Sequence, residues 1–101
     1  MTARDPDAGY AALQAELLAE SAQTLGIAGR RMEGALAILA ACPADAQPGA
    51  RRALLDAAAE ATFAYVVVRE SLGWRDTTHA LDVYGVPYEV RARLGARTLT
   101  E

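Results

Sequence analysis

Apolar and small residues recur about every 3.6 positions through the first forty residues of the chain. They are Tyr10, Leu13, Leu17, Ser21, Leu25, Ala28, Met32, Ala35 and Leu39. Polar residues such as Glu16 and Glu20 take the other side, as in an amphipathic helix that packs one face against a core. The pattern predicts helix 1 over residues 6–42, with Asp5 as its N-cap and Pro43 just beyond its end.

Gly26, Gly29 and Gly34 interrupt this segment. Each glycine costs up to about 1 kcal/mol relative to alanine in a helix interior. Either helix 1 breaks near Gly26, or the glycines let another helix approach closely. The apolar period keeps its phase across all three glycines, which favours one continuous helix.

The second half of the chain repeats the helical period between clear turn signals. Helix 2 is predicted over residues 49–72, after the Pro- and Gly-containing loop "PADAQPGA". Two short helices follow, one over 77–84 with Asp76 as N-cap and one over 87–94 that ends at Gly95. We therefore expect a single all-α domain over residues 1–101, in which two short C-terminal helices pack on a long antiparallel helical hairpin.

Helix 1 is longer than helix 2, which leaves part of it without cover. At 1.5 Å per residue helix 1 would measure roughly 54 Å and helix 2 roughly 35 Å, so the first turns of helix 1 extend beyond the hairpin. Further apolar residues fall on faces that should contact water. We predict a homodimer that completes a helical bundle. Its candidate interface residues are Tyr10, Leu13, Leu17, Ile27, Phe63 and Val67.

Composition and charge exclude several classes of function. The net charge of −3 is divided into three Arg against six acidic residues in positions 1–50, and seven of each in positions 51–101. Neither half has the basic footprint expected of a protein that binds nucleic acid or anionic lipid. We see no secretory signal and no apolar run that could span a bilayer, so we expect a cytoplasmic protein without membrane contact. Cys42 is the one cysteine, which excludes an internal disulfide.

The segment "GWRDTTHALDVYGVPYEVRARLG", residues 73–95, raises the sharpest functional question. We interpret it as a lid on the helical hairpin, because five apolar residues stand in a segment rich in Arg, Asp and Thr, and Gly85-Val86-Pro87 gives a tight reversal that lets both short helices reach one surface. Its inward face is predicted to consist of Trp74, Leu81, Val86, Val90 and Leu94. Arg69 and Asp76 are among the charged residues that bracket the turn before it and could fix its geometry.

A DNA-binding helix-turn-helix over residues 77–94 is the alternative, with Arg91, Arg93 and Arg97 as its basic residues. Its spacing fits poorly, because Leu81 and Arg91 stand where repressor-type motifs place a small residue and a buried aliphatic one. The acidic net charge also lacks the electrostatic attraction that supplies non-specific affinity for DNA. We therefore expect helix packing here and consider nucleic-acid binding the less favoured hypothesis.

A third hypothesis is a small enzyme or metal-binding protein centred on His79. Asp76 and Asp82 lie three residues to either side of this histidine, and a carboxylate pair around an imidazole is one pattern of a metal site. Helix capping by the first aspartate explains the same trio without a metal. Cys42 lies at the electronegative end of helix 1, which disfavours a reactive thiolate. We expect no catalytic residue, cofactor or metal.

The stretch "VVRESLGWRDTTHALDVYGVPYEVRARLGA" resembles the C-terminal pattern of a small uncharacterised family of bacterial helical proteins. The resemblance covers the last third of the chain. It implies an all-α fold and assigns no activity. Together with the residues above, it leads us to expect a non-enzymatic structural or protein-interaction module whose protein partner is unknown.

Overall fold

The described part of the chain folds into four α-helices, and the predicted all-α fold is confirmed. The computed structural model describes residues 6–99, with side chains described for residues 7–94. The helices are α1 (Pro6–Ala40), α2 (Pro48–Ser71), α3 (Thr77–Val83) and α4 (Tyr88–Leu99). The predicted N-cap at Asp5 lies outside the described residues. α1 and α2 form the long hairpin, and α3 and α4 lie against α2.

Four of the predicted helix ends differ from the structure by one residue, and two differ by two residues or more. α1 ends at Ala40 rather than at residue 42, because the chain tightens there: the Cys42 amide donates to the carbonyl of Leu39 over three residues. α4 runs on to Leu99, so the prediction that Gly95 ends it is wrong. A glycine ends a helix where it takes a left-handed conformation. Gly73 and Gly85 do so, with φ of +85° and +66°, whereas Gly95 lies within the helix.

α1 is one continuous helix through all three glycines, as the phase of its apolar residues predicts. Its close approach to the rest of the fold occurs at Gly29, which is buried. A β-carbon at Gly29 would lie 3.0 Å from Tyr84 Oη and 3.6 Å from Tyr65 Cε1. At Gly26 the nearest atom is the Arg30 guanidinium, and at Gly34 the space is open. Gly29 thus lets the two tyrosines pack on the backbone of α1.

α2 is the central helix, since it contacts α1, α3 and α4. The buried apolar core lies along these contacts and comprises Met32, Leu39, Leu55, Ala58, Ala59, Tyr65, Ala80, Leu81, Val86 and Val90. Two ion pairs, Arg51 with Glu89 and Arg93 with Asp56, add polar links between α2 and α4. Hydrogen bonds from Arg51 lower the pKa of the Glu89 carboxyl.

The first part of α1 projects beyond the hairpin. α1 has 35 residues and α2 has 24, which correspond to roughly 52 Å and 36 Å. All residues from 7 to 20 are exposed. The molecule extends over 73 × 26 × 22 Å with a radius of gyration of 18.7 Å, against about 13 Å for a compact domain of 100 residues. The single chain is therefore strongly elongated.

Candidate functional site

The α3–α4 segment covers the hairpin with most of the residues assigned to its inward face. Leu81, Val86 and Val90 are buried and Leu94 is partly buried against the core. Trp74 is an exception, because 48% of it is exposed. Its ring lies against the guanidinium of Arg69, 4.9 Å from carbon to centroid. The prediction that Trp74 inserts into the core is thus wrong; it flanks a buried cation instead.

Arg69 organises the turn between α2 and α3. Its side chain is about nine-tenths buried and pairs with Asp76 at 2.7 Å. The Arg69 carbonyl accepts a hydrogen bond from the Trp74 amide. Asp76 occupies the N-cap position of α3 as predicted, but its side chain makes no capping hydrogen bond and accepts from Arg69 instead. This cluster fixes the geometry of the turn.

Two tyrosines, one in α2 and one at the end of α3, pack against α1 at Gly29. The rings of Tyr65 and Tyr84 meet edge to face with centroids 5.2 Å apart. Burial and a hydrogen bond with Tyr65 raise the pKa of the Tyr84 hydroxyl. Tyr65, Trp74 and Tyr84 together form one wall of a groove of about 510 Å³ beside α1, which is completed by apolar residues such as Leu25 and Leu72. Sequence reasoning did not identify this aromatic cluster, because its members are far apart in the sequence.

His79 is exposed, and its two neighbouring carboxylates are engaged elsewhere. Asp76 pairs with Arg69, and Asp82 pairs with Arg91 at 2.9 Å. Within the described residues, no three His, Cys, Asp or Glu side chains are grouped so as to hold a metal ion. Cys42 is half-buried, with its sulfur 3.7 Å from the carbonyl oxygen of Pro43.

The arginines of the helix-turn-helix hypothesis make contacts within the fold. Besides its ion pair with Asp82, Arg91 donates from Nε to the carbonyl of Val86 at 2.9 Å. Arg93 pairs with Asp56 of α2. The side chain of Arg97 lies outside the described part of the chain. The arrangement turns two of the three basic side chains toward intramolecular acceptors.

The predicted interface residues divide between different surfaces. Tyr10, Leu13 and Leu17 are exposed on the projecting part of α1, where the length of α1 predicts them. Ile27 is also exposed and lines a groove with Ala61, Ala64 and Val68 of α2. Val67 is exposed and Phe63 is half-buried on α2, and neither lines that groove. Leu18, which the uncovered start of helix 1 also predicts to need cover, is exposed, whereas sequence reasoning missed the exposed Ile38 near the other end of α1.

A regular row of exposed residues runs along one flank of α1. Its members are separated alternately by four and three positions, and we call this row the α1 stripe. It consists of Leu13, Leu17, Glu20, Thr24, Ile27, Arg31, Gly34 and Ile38, all exposed. An average spacing of 3.5 residues is that of the contact seam of a coiled coil. The sequence interpretation followed the 3.6-residue row from Tyr10 to Leu39, which shares Leu13 and Leu17 with the stripe and then diverges from it, and so it overlooked this second row.

α2 borders the α1 stripe over much of its length. Thr24, Ile27 and Arg31 share one groove with Ala61, Ala64 and Val68. Leu17, Glu20 and Thr24 share a second groove with Val68 and other residues near the end of α2. The stripe and the neighbouring flank of α2 therefore form one shallow, largely apolar surface on which a further helix could lie.

Fold and surface together define a small all-α protein, a helical hairpin closed on one side by two short helices and open along a flank of α1. The chain belongs to DUF6665, a family of unknown function whose model matches residues 1–101. The predicted membership of an uncharacterised family is confirmed, and the match covers the whole chain rather than its last third. No curated protein and no solved structure gives a significant match. Among the described residues, no helix is long and apolar enough to cross a membrane.

Proposed function

We propose that the protein is a non-enzymatic interaction module that acts as a homodimer joined through α1. The observation that supports this most directly is the projecting part of α1, residues 7–20, which is exposed throughout and presents large apolar side chains. Tyr10, Leu13, Leu17 and Leu18 are each more than half exposed there. Contiguous exposed apolar surface of this kind marks interaction sites in soluble proteins.

The total surface supports the same proposal. The chain has an accessible surface of 7297 Å², whereas a monomeric protein of 10.7 kDa is expected to expose about 5,500 Å². The excess, roughly 1,800 Å², is more than the approximately 800 Å² that each partner buries in a standard interface. A homodimer through α1 removes apolar area that the fold of one chain leaves in water.

Chemistry at the other candidate centres favours this proposal over catalysis or DNA binding. The carboxylates beside His79 are paired with arginines, and Arg91 and Arg93 are engaged within the fold. These side chains stabilise the positions of α3 and α4 on α2. They hold the helices of one chain together, whereas the exposed flank of α1 contacts the second chain.

Light scattering coupled to gel filtration tests the proposal. At micromolar concentration the wild-type chain is expected to give about twice 10.7 kDa, and Leu17→Glu is expected to give the monomer, because it places a charge in the apolar contact. Val83→Glu is the matched control, since Val83 is exposed on α3 and should leave the mass at that of the dimer. A wild-type chain that stays monomeric as the protein is concentrated contradicts the proposal.

A further inference from the structure

We infer that two copies of the chain pair antiparallel along the α1 stripe, in a register set by Glu20 and Arg31. This inference rests on the proposed function, since it specifies how the homodimer forms. Its occupant is a second copy of this chain. The argument comes from the spacing of the stripe, its charges and the open flank of α2 beside it.

The stripe is complementary to itself when it is reversed. We place the two-fold axis between Thr24 and Ile27. Each residue of one stripe then faces the residue of the other stripe for which the two residue numbers add up to 51. The resulting facing pairs, each occurring twice, are Leu13 with Ile38, Leu17 with Gly34, Glu20 with Arg31, and Thr24 with Ile27. An isologous interface requires this reciprocity, in which residue i contacts j and j contacts i.

The apolar pairs match in size as well as in type. At the ends of the seam Leu13 faces the exposed aliphatic side chain of Ile38. Leu17 faces Gly34, where no atom lies within 4 Å of the space that a β-carbon would take. That open space accepts the bulk of a leucine from the second copy. The contact extends over 26 residues, or roughly 38 Å of helix.

The charged pair selects this register over the others. Within the described residues, neither Glu20 nor Arg31 has an ion-pair partner. Antiparallel pairing brings each Glu20 opposite an Arg31, whereas parallel in-register pairing brings like charges together. Polar residues at seam positions of coiled coils specify register and orientation in the same way, at some cost in stability.

The flank of α2 fits the arrangement. Val68, Ala64 and Ala61 border the stripe in grooves that it shares with α2. A second α1 placed on the stripe therefore also lies against small and apolar side chains of α2. Two hairpins joined in this way form a four-helix arrangement, with α3 and α4 contacting α2 away from the seam. The 3.5-residue spacing predicts a left-handed supercoil between the two α1 helices.

Reversal of single charges tests the register. Glu20→Arg and Arg31→Glu, each alone, place like charges opposite one another at both symmetric positions. We expect the dissociation constant of each variant to rise about tenfold or more over the wild type. An equimolar mixture of the two variants restores every opposite-charge pair, as does the double variant Glu20→Arg/Arg31→Glu within one chain. Both should dimerise like the wild type in analytical ultracentrifugation.

A cross-linking experiment measures the orientation independently. In a Cys42→Ser background, the chain with both Leu13→Cys and Ile38→Cys should form covalent dimers under mild oxidation. The chain with Leu13→Cys alone is the matched control. Its two cysteines would be roughly 38 Å apart in the antiparallel dimer, far beyond the Cα separation that a disulfide spans. Efficient cross-linking of this single variant would overturn the antiparallel arrangement.

The outcomes separate this inference from the proposal on which it rests. A wild-type dimer whose affinity is unchanged by both single reversals, or whose variants do not recover on mixing, overturns the register and leaves the homodimer standing. A monomeric wild type overturns both. Because Glu20 and Arg31 are exposed, helical content measured by circular dichroism should be unchanged in every charge variant. If a single variant loses helicity, the double variant Glu20→Arg/Arg31→Glu decides the register: it keeps every opposite-charge pair, and its failure to dimerise overturns the inference.

Discussion

At the scale of single residues, burial and contact distinguish side chains that look equivalent in the sequence. Gly26, Gly29 and Gly34 stand in the same helix, yet the close approach of Tyr84 falls on Gly29. The sequence could not indicate which glycine mattered, because the position of Tyr84 depends on how α3 lies against α2. Trp74 was misjudged for a related reason: its ring lies against the cation of Arg69, and a sequence does not reveal such a partner.

Gly29→Ala tests the close approach. Alanine in place of glycine normally stabilises a helix interior by up to about 1 kcal/mol. At Gly29 the Tyr84 hydroxyl would have to move away from the added methyl group by a few tenths of an ångström, and its ring is held edge-on against Tyr65. We therefore expect no gain or a loss in the free energy of unfolding, measured by urea denaturation. Gly26→Ala is the control and should show the gain, because only the mobile end of Arg30 lies nearby. Equal gains for both would refute the role of Gly29.

At the scale of elements, the periodicity of apolar residues was enough to predict four helices and their order. α2 and α3 end close to Gly73 and Gly85, which adopt positive φ. Gly95 is also a glycine, but α4 continues through it. Sequence alone does not give the φ of a glycine, since that depends on whether the chain must turn there. The assignment of the α3–α4 segment as a lid rests on the observed burial of Leu81, Val86 and Val90.

Val90→Ala tests the lid. Val90 is 0% exposed in the core between α4 and α2. Removing two buried carbon groups there should lower the free energy of unfolding by about 1.5–3 kcal/mol. Val83→Ala is the matched control: Val83 is 70% exposed, so its effect should stay within about 0.5 kcal/mol. His79→Ala should be nearly silent as well. If Val90→Ala proves as mild as Val83→Ala in thermal denaturation, the segment is not a packed lid.

At the scale of the whole molecule, the length difference between α1 and α2 was readable from the sequence, and so was the need for additional cover. The sequence did not show which flank of α1 needs this cover. Which side of α1 remains open depends on where α2 lies, and only the folded hairpin shows that Leu13, Ile27 and Ile38 share one exposed row. Phe63, by contrast, was expected to face water and is half-buried.

Thermal stability should depend on protein concentration, because the exposed flank of α1 is covered only when a second copy binds. A dimer that buries the α1 stripe is favoured by mass action, and above the dissociation constant a tenfold rise in concentration should raise Tm by about 3–6 °C for a chain of this size. Leu17→Glu should abolish that dependence while leaving the low-concentration Tm close to that of the wild type, because Leu17 is already exposed in the single chain. Calorimetry over two decades of concentration measures both effects. A wild-type Tm that is constant over this range would show that α1 stays uncovered in solution, and the stripe would then have no part in stabilising the protein.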